Sequence, residues 1–293
     1  MTTALSSDVA DRAERDRLDL AAVRTVAAKE LRDALTDRWL WLYAGAFAVL
    51  AAALSSLAVS DADTVGFSGF GRTASSLIAL GQLVVPLMGL TVGARSLAGQ
   101  RERGTLAFLL AHPVSPSEIY VGVFVGSALA MLAAVAGGFG VAGLVAALRG
   151  AAVQPADFVT IAALAWVLAV AMIGVGMVVS VLAERSATAL GVALVLWLVF
   201  VLFGNLGLMG TSVATGLSEG ALFSTATANP VEAFRLSAMS TLGGSLDDLG
   251  PVGTYAVDRF GGSVGLVTGA ALALWAVIPV AIGAVLFRRG PQR

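Results

Sequence analysis

Residues 158–183 read FVTIAALAWVLAVAMIGVGMVVSVLA, and this stretch decides the fold class. It contains no charged side chain and shows no polar helical face. A helix needs about 20 apolar residues to cross the hydrocarbon core of a bilayer, which is about 30 Å thick. Backbone in lipid must form helices or closed barrels, and a barrel strand would alternate apolar with polar residues. We therefore predict a transmembrane helix here.

Similar stretches recur along the chain and predict an all-α, polytopic membrane protein with six transmembrane helices. The predicted spans are residues 39–60, 73–94, 119–148, 158–183, 186–209 and 263–287. The composition agrees, because 58% of the 293 residues are hydrophobic and 13% are charged, against about 25% charged in soluble proteins. We assign residues 38–293 to one transmembrane domain. The polar residues 1–17 are expected to form a disordered tail.

The distribution of arginine predicts the orientation. Basic residues concentrate before the first span, in the connection between spans two and three, and after the last span. The connections on the opposite side hold only Arg72, Arg149, Arg235 and Arg259. By the positive-inside rule, both termini are cytoplasmic, and we expect a multi-pass protein of the plasma membrane. An even number of spans agrees with termini on one side.

Several kinds of chemistry are excluded by the residues present. The chain has no cysteine, so neither disulfides nor thiolate metal sites are available. Its one lysine, Lys29, has no glycine-rich turn beside it, so no phosphate-binding loop is present. The spans hold no paired acids and no histidine beside a nucleophile. We predict that the chain is not an enzyme and binds no cofactor, metal or nucleic acid of its own.

Residues 18–37 predict an amphipathic helix ahead of the first span. Apolar residues recur at helical spacing, at Leu20, Val23, Ala27, Leu31 and Leu35. Trp39 and Trp41 follow, and tryptophan is typical of the membrane interface. We expect this helix to lie in the interface and to contact lipid. The alternative is a cytoplasmic helix packed on other protein.

Two features inside the spans concern packing or transport. Gly122 and Gly126, four residues apart, predict close approach of another helix, either within the subunit or across a dimer. Gln82 and Asn205 are uncharged polar residues well inside predicted spans. Such groups turn toward a partner helix or a cavity. They are predicted to join helices, with a place on the translocation path as the alternative.

The outer segment, residues 211–261, contains a helix-start pattern. Asn229 suits the N-cap, Pro230 the first helical position and Glu232 the third. We predict a short helix from Pro230 to about residue 240, with Arg235 beside Glu232. The aromatic and apolar residues around it allow a shallow return into the outer leaflet.

The connection between spans two and three, residues 97–117, is the most specific segment. Charged residues 101–103 are followed by Gly104, and an apolar run then stops before Pro113. Ser115 and Glu118 form a capping box that starts span three. We predict a short helix across the cytoplasmic mouth of the bundle. Its apolar residues need a groove, either in the subunit itself or in a partner.

This connection resembles that of ABC-2 type transporter permeases. The resemblance rests on Arg101-Glu102-Arg103-Gly104-Thr105-Leu106, then Leu109-Leu110 and Pro113-Val114-Ser115. It is greatest for the NosY-like group, which serves the maturation of nitrous oxide reductase, and it extends over most of the chain. Two residues depart from the family pattern, Val123 and Ser117, where basic residues are common.

The resemblance implies a permease that dimerises and docks on two cytoplasmic ATPase subunits, which bind ATP and Mg. Segment 97–117 would be the coupling segment, an exporter would be the expected type, and an accessory protein on the outer side would be a further partner. A link to copper-enzyme maturation is implied in the same way. The coupling residues implied are Arg101, Glu102, Arg103, Gly104, Thr105, Leu106, Leu109, Leu110 and Pro113.

Two other functions stay open at the level of sequence. An ion-coupled secondary transporter would carry ionisable groups near the bilayer midplane or matched, broken halves, and the predicted spans are free of charge. A membrane anchor for a larger complex, without transport, would show the same composition as a permease.

Overall fold

The computed structural model describes residues 19–60, 69–111, 114–148, 155–214, 218–242 and 251–290, and the predicted polar tail lies outside them. Over these ranges the chain is helical and contains no strand. The helices are α1 Leu20–Thr36, α2 Arg38–Ser60, α3 Gly69–Glu102, α4 Thr105–Leu110, α5 Pro116–Leu148, α6 Pro155–Leu182, α7 Ser186–Ala214, α8 Glu219–Thr227, α9 Pro230–Thr241, α10 Pro251–Phe260 and α11 Val264–Arg289. A short 3₁₀ turn, Gly261–Ser263, joins α10 to α11.

Five helical segments are long and apolar enough to cross a membrane. They are Ala74–Glu102, Pro116–Leu148, Pro155–Leu182, Ser186–Gly204 and Val252–Arg289. The fold is therefore that of a polytopic helical membrane protein. The first of the six predicted spans falls in α2, where the apolar stretch Leu40–Leu54 is shorter than these five. Its crossing stays a prediction.

The most extensive helix pair is α3 with α6. The two backbones approach at Gly93 and Gly176, where a side-chain carbon on Gly176 would lie 2.5 Å from the Leu90 carbonyl oxygen. Small residues permit this distance, which brings many atoms of both helices into van der Waals contact. Ser180, one turn after Gly176, accepts hydrogen bonds from the amides of Leu97 and Ala98, at 3.1 and 2.8 Å.

Helix α1 packs along α5 of the same chain. A side-chain carbon on Gly122 would meet Val26, and one on Gly126 would meet Glu30 Cβ at 2.6 Å. The crowding predicted from these glycines is thus found, and within the described residues its partner is α1. Ala27 of the predicted apolar stripe is buried, as is its neighbour Val26, whereas Leu20 of the stripe is exposed. Part of the stripe therefore faces protein, and the interfacial position of α1 stays a prediction.

Helix α7 follows α6 after the three residues 183–185, yet it packs mainly on α3. The connection between these two helices is short, and beyond it α7 diverges from α6. One flank of α7 packs on α3, whereas the opposite flank, which includes Val195, Leu198 and Leu202, is exposed. Exposed apolar side chains on a membrane helix suit lipid or a second subunit.

Candidate functional site

The segment predicted to couple to a partner ends α3 and forms α4. Gly104 adopts φ 72°, a left-handed conformation that glycine tolerates, and it separates the two helices as predicted. Leu106 is buried, and Leu109 and Leu110 pack at the edge of the main core. Phe108 is 65% exposed. One face of α4 thus lies in a groove of the subunit itself, while the other presents an aromatic ring outward. Pro113 lies outside the described residues.

Two of the three charged residues before Gly104 bind the backbone of the connection between α6 and α7. The guanidinium of Arg101 donates to the Ala183 carbonyl at 2.7 Å, beyond the last turn of α6. The Ser186 amide, at the first turn of α7, donates to Glu102 Oε1 at 2.8 Å. Both bonds satisfy backbone groups that a helix end leaves without an internal partner. Arg101 and Glu102 thus cap the two helix ends that meet at this connection.

The third charged residue, Arg103, is exposed and lies near Glu30 of α1. Glu30 also accepts a hydrogen bond from Gln100 Nε2 at 2.9 Å, which links α1 to α3. Burial of the Glu30 carboxyl raises its pKa, the charge of Asp33 raises it further, and the nearby Lys29 and Arg103 lower it. The inner end of α3 is thereby joined to α1 on one side and to α7 on the other.

A polar cavity of about 550 Å³ opens beside these contacts. Its walls come from α1, α2, α3, α5 and the start of α7, and they carry charges of both signs, including Glu30, Asp33, Asp37, Arg95, Glu102 and Arg103. Arg95 Nη1 lies 3.8 Å from Asp37 Oδ2. The charged and polar walls of this cavity suit water or a polar solute.

Glu118 fastens the starts of two helices. Its Oε2 accepts from the Ser115 amide at 2.7 Å, and Ser115 Oγ accepts from the Glu118 amide at 3.3 Å, so the predicted capping box is present. Its Oε1 accepts from the amide of Asp19, the N-cap residue of α1, at 2.7 Å. Sequence reasoning missed this second bond because the two residues are distant in the chain.

The outer segment contains the predicted helix. Helix α9 begins at Pro230, and Asn229 Oδ1 accepts from the Val231 amide at 2.9 Å, as the capping pattern predicted. Asn229 Nδ2 donates to the Phe200 carbonyl of α7 at 2.8 Å. Arg235 Nη1 lies 3.6 Å from Glu232 Oε2, and Glu232 is only 2% exposed. Its Oε1 occupies the space beside Gly204 of α7, where a side-chain carbon would lie 2.5 Å away.

Helices α8 and α9 form a return loop beside α11, and its shallow position in the outer leaflet stays a prediction. Thr227 and Ala228, at its tip, line an apolar cavity of about 570 Å³ together with Ile278 and Pro279 of α11. Pro279 stands 15 residues into α11, or about 22 Å along it at ~1.5 Å per residue. The tip therefore reaches roughly halfway through the bundle, level with the middle of α11.

The two residues proposed for the translocation path have different outcomes. Gln82 is buried in α3, beside Gly81, where a side-chain carbon would contact Phe234 of α9 at 3.6 Å. The side chain of Asn205 lies outside the described part of the chain. The role of both residues in transport stays a prediction. Among the described residues, no group of three or more His, Asp or Glu side chains could hold a metal ion.

Known proteins place the chain in a family. The profile of the ABC-2 family transporter proteins matches residues 24–290. A probable ABC transporter permease protein, NosY of Pseudomonas aeruginosa, is 32% identical over 278 residues, which cover 93% of this chain and 100% of the relative. A probable ABC transporter permease protein NosY of Stutzerimonas stutzeri is 32% identical over 241 residues, covering 78% of this chain and 85% of the relative.

These matches extend across both the coupling segment and the return loop, and they agree with the apolar helices of the fold. A permease of this type is a non-enzymatic membrane subunit that works with an ATPase. The chain belongs to the ABC-2 family, and it is a multi-pass permease subunit of an ABC transporter.

Proposed function

We propose that a separate cytoplasmic ATPase, which binds ATP and Mg, energises this permease through segment 97–117. The observation that carries the proposal is the two-sided packing of α4. Leu106 anchors the helix in the subunit, while Phe108 is exposed on it, and Arg103 and Gly104 just before the helix are exposed as well. Aromatic rings and arginines are enriched at interfaces between proteins.

We also propose six spans, with both termini cytoplasmic and the chain in the plasma membrane. The basic residues support this orientation, because they concentrate before α2, after α11 and at the end of α3. Helix α2 supplies the sixth span. In this arrangement α4 and the polar cavity face the cytoplasm, where an ATPase would be found.

Export is the proposed direction, and maturation of a copper enzyme such as nitrous oxide reductase is the proposed process. The two NosY permeases, each 32% identical to this chain, support this assignment. We further propose a homodimer embedded in lipid, which would present two α4 helices to two ATPase subunits. An accessory protein on the outer side completes the proposed assembly.

The coupling proposal is tested by co-purification of the ATPase with the permease in detergent. Phe108→Ala removes the exposed ring of α4, and we expect a loss of affinity for the ATPase of about 30-fold, as for a residue worth ~2 kcal/mol at an interface. Phe203→Ala is the matched control, because Phe203 is 71% exposed on the apolar flank of α7. Equal recovery of the ATPase with both variants would contradict the proposal.

The orientation is tested by labelling single cysteines in intact cells, which is simple because the chain has none of its own. Ala107→Cys on α4 should react only after the membrane is opened, and Asp258→Cys on α10 should react in intact cells. The reverse pattern would refute the orientation. Ion-driven uptake by the permease alone in liposomes would support the alternative, a secondary transporter.

A further inference from the structure

The first turn and the middle of α7 are each held by hydrogen bonds to a different segment of the chain. We propose that α7 connects the coupling segment at the inner face to the α8–α9 return loop, with the Ser186 amide and the Asn229 side chain as the positioning groups. This inference rests on the proposed function, since it assumes that an ATPase moves α4. It adds a route by which that movement reaches the outer half of the protein.

At the inner end, the connection is made by the last residues before α4. Glu102 accepts the Ser186 amide at 2.8 Å, and Arg101 holds the Ala183 carbonyl at 2.7 Å. A carboxylate at a helix N-terminus forms a charge-assisted bond and also interacts favourably with the helix dipole. The start of α7 must therefore follow the end of α3 or lose this bond.

The first turn of α7 has no capping side chain of its own, since Arg185 supplies the N-cap carbonyl to the Ala189 amide. The side chain of arginine has no oxygen that could accept a hydrogen bond from a helix amide. The carboxylate of Glu102 therefore supplies the capping acceptor that the first turn of α7 lacks. This gives the Glu102–Ser186 bond a structural necessity that a surface ion pair would not have.

In the middle of α7, helix α9 is docked on it through two contacts one turn apart. Asn229 Nδ2 donates to the Phe200 carbonyl at 2.8 Å, and the Glu232 carboxylate fills the space beside Gly204. Phe200 and Gly204 are four residues apart and share one face of α7, and Asn229 and Glu232 are three residues apart at the start of α9 and share one face there. The matched spacing fixes the register of one helix against the other.

Between these two points α7 is an unbroken helix. The 19 residues from Ser186 to Gly204 span about 27 Å at ~1.5 Å per residue. Among the described helices, the one extensive packing partner of α7 is α3. Trp197 Nε1 of α7 donates a hydrogen bond to the Leu83 carbonyl of α3 at 2.9 Å. A helix held along one side and exposed along the other can shift as a unit with that partner.

A second route to α9 passes through α11 and supplies the control. Ser237 Oγ of α9 donates to Thr268 Oγ1 of α11 at 2.7 Å. If movement reached the return loop through α11, breaking this bond would matter and breaking the Asn229–Phe200 bond would not. Each bond joins one side chain of the α9 segment to a neighbouring helix, so their removal compares the two routes.

The experiment uses the complete complex with its ATPase and a single reporter cysteine, Ser224→Cys, on the exposed face of α8. The labelling rate is measured without nucleotide and with Mg-ATP plus vanadate. Ser186→Pro removes the amide donor at a helix position that tolerates proline, whereas Ser186→Ala keeps it. Asn229→Ser keeps a capping oxygen and is too short to reach Phe200, and Ser237→Ala breaks the bond to α11.

We expect Ser186→Pro and Asn229→Ser to reduce the nucleotide-dependent change in labelling at least threefold. Ser186→Ala and Ser237→Ala should retain it, and all four variants should bind the ATPase normally. A full change in labelling with either Ser186→Pro or Asn229→Ser overturns the inference. The two substitutions break bonds at different points of α7, so one variant that folds is sufficient for the test. Failure of the ATPase to bind at all would instead refute the proposed function. Binding and hydrolysis without any change in labelling would refute this inference alone.

Discussion

The crossing of α3 and α6 can be tested by adding one methyl group at Gly176. In Gly176→Ala the new carbon would lie 2.5 Å from the Leu90 carbonyl oxygen and 2.9 Å from the Ala94 amide nitrogen, whereas ordinary contact begins near 3.4 Å. Both obstacles are backbone atoms, which cannot rotate away as a side chain does. The helices must therefore separate by roughly 0.5–1 Å.

The cost follows from the weaker van der Waals attraction between the two separated helices. A gap of about 0.5–1 Å forfeits a quarter to a half of the attraction between two atoms, which is ~0.15 kcal/mol for a carbon pair. If about 40 such pairs lie at the crossing, the cost is about 1.5–3 kcal/mol. This agrees with the ~1–3 kcal/mol typical of overpacked sites. Because Ser180 binds Leu97 and Ala98 one turn further on, these two hydrogen bonds should lengthen as well.

The assay is thermal unfolding of the purified permease in detergent, followed by tryptophan fluorescence. Gly140→Ala on α5 is the control, since a side-chain carbon there meets nothing within 4 Å. Alanine is the better helix former by up to ~1 kcal/mol, so Gly140→Ala should leave the midpoint unchanged or raise it. Gly176→Ala should lower it. Equal midpoints for the two variants would refute the reasoning that backbone contact at Gly93 and Gly176 holds the two helices.

Three further predictions concern α1 and the inner face. Gly126→Ala places a carbon 2.7 Å from the Ala27 carbonyl oxygen, so α1 should detach and tryptic cleavage at Lys29 should become faster. Gly137→Ala is the control, because a side-chain carbon there meets nothing within 4 Å, and its cleavage rate should equal that of the wild type. Glu118→Ala should lower the free energy of unfolding by about 1–3 kcal/mol, because two helix caps are lost. Glu118→Gln keeps one acceptor oxygen, so its free energy of unfolding should lie between those of the wild type and Glu118→Ala. Burial raises the pKa of Glu30, so its ionisation destabilises the fold as pH rises from about 4.5 through the raised value. The difference in unfolding free energy between Glu30→Gln and the wild type should therefore be more favourable to the variant at pH 8 than at pH 5. The same dependence of unfolding free energy on pH in both proteins would contradict this.

The features that the sequence predicted correctly are local. The helix starts at Asn229 and Ser115 are made by side chains that bind amides two or three residues away, and the break at Gly104 depends on the conformational freedom of one residue. The apolar stretches also predict spans, because lipid selects for composition and length. Such features depend little on which helices are neighbours.

The features that the sequence did not predict join distant parts of the chain. Gly122 and Gly126 indicated that a helix would approach closely, and only the fold identifies it as α1. The depth of the α8–α9 loop depends on the space left by α11 and α7. One signal was present for the Glu102–Ser186 bond, because Ser186 starts a helix that lacks a capping side chain, and such a start needs an acceptor from elsewhere.

The division of labour within residues 101–108 decides how this segment can be studied. Arg101 and Glu102 cap the connection between α6 and α7, so removing either one disturbs the subunit itself. Arg103 and Phe108 are exposed and take no part in these caps, so weaker ATPase binding on changing them would report on the proposed partner. Alanine at Glu102 therefore mixes two effects, removal of the α7 cap and removal of a group that faces the partner. A double-mutant cycle of Glu102→Ala with Ser186→Pro separates them, because the capping contribution is already absent in Ser186→Pro and only the partner contribution then remains.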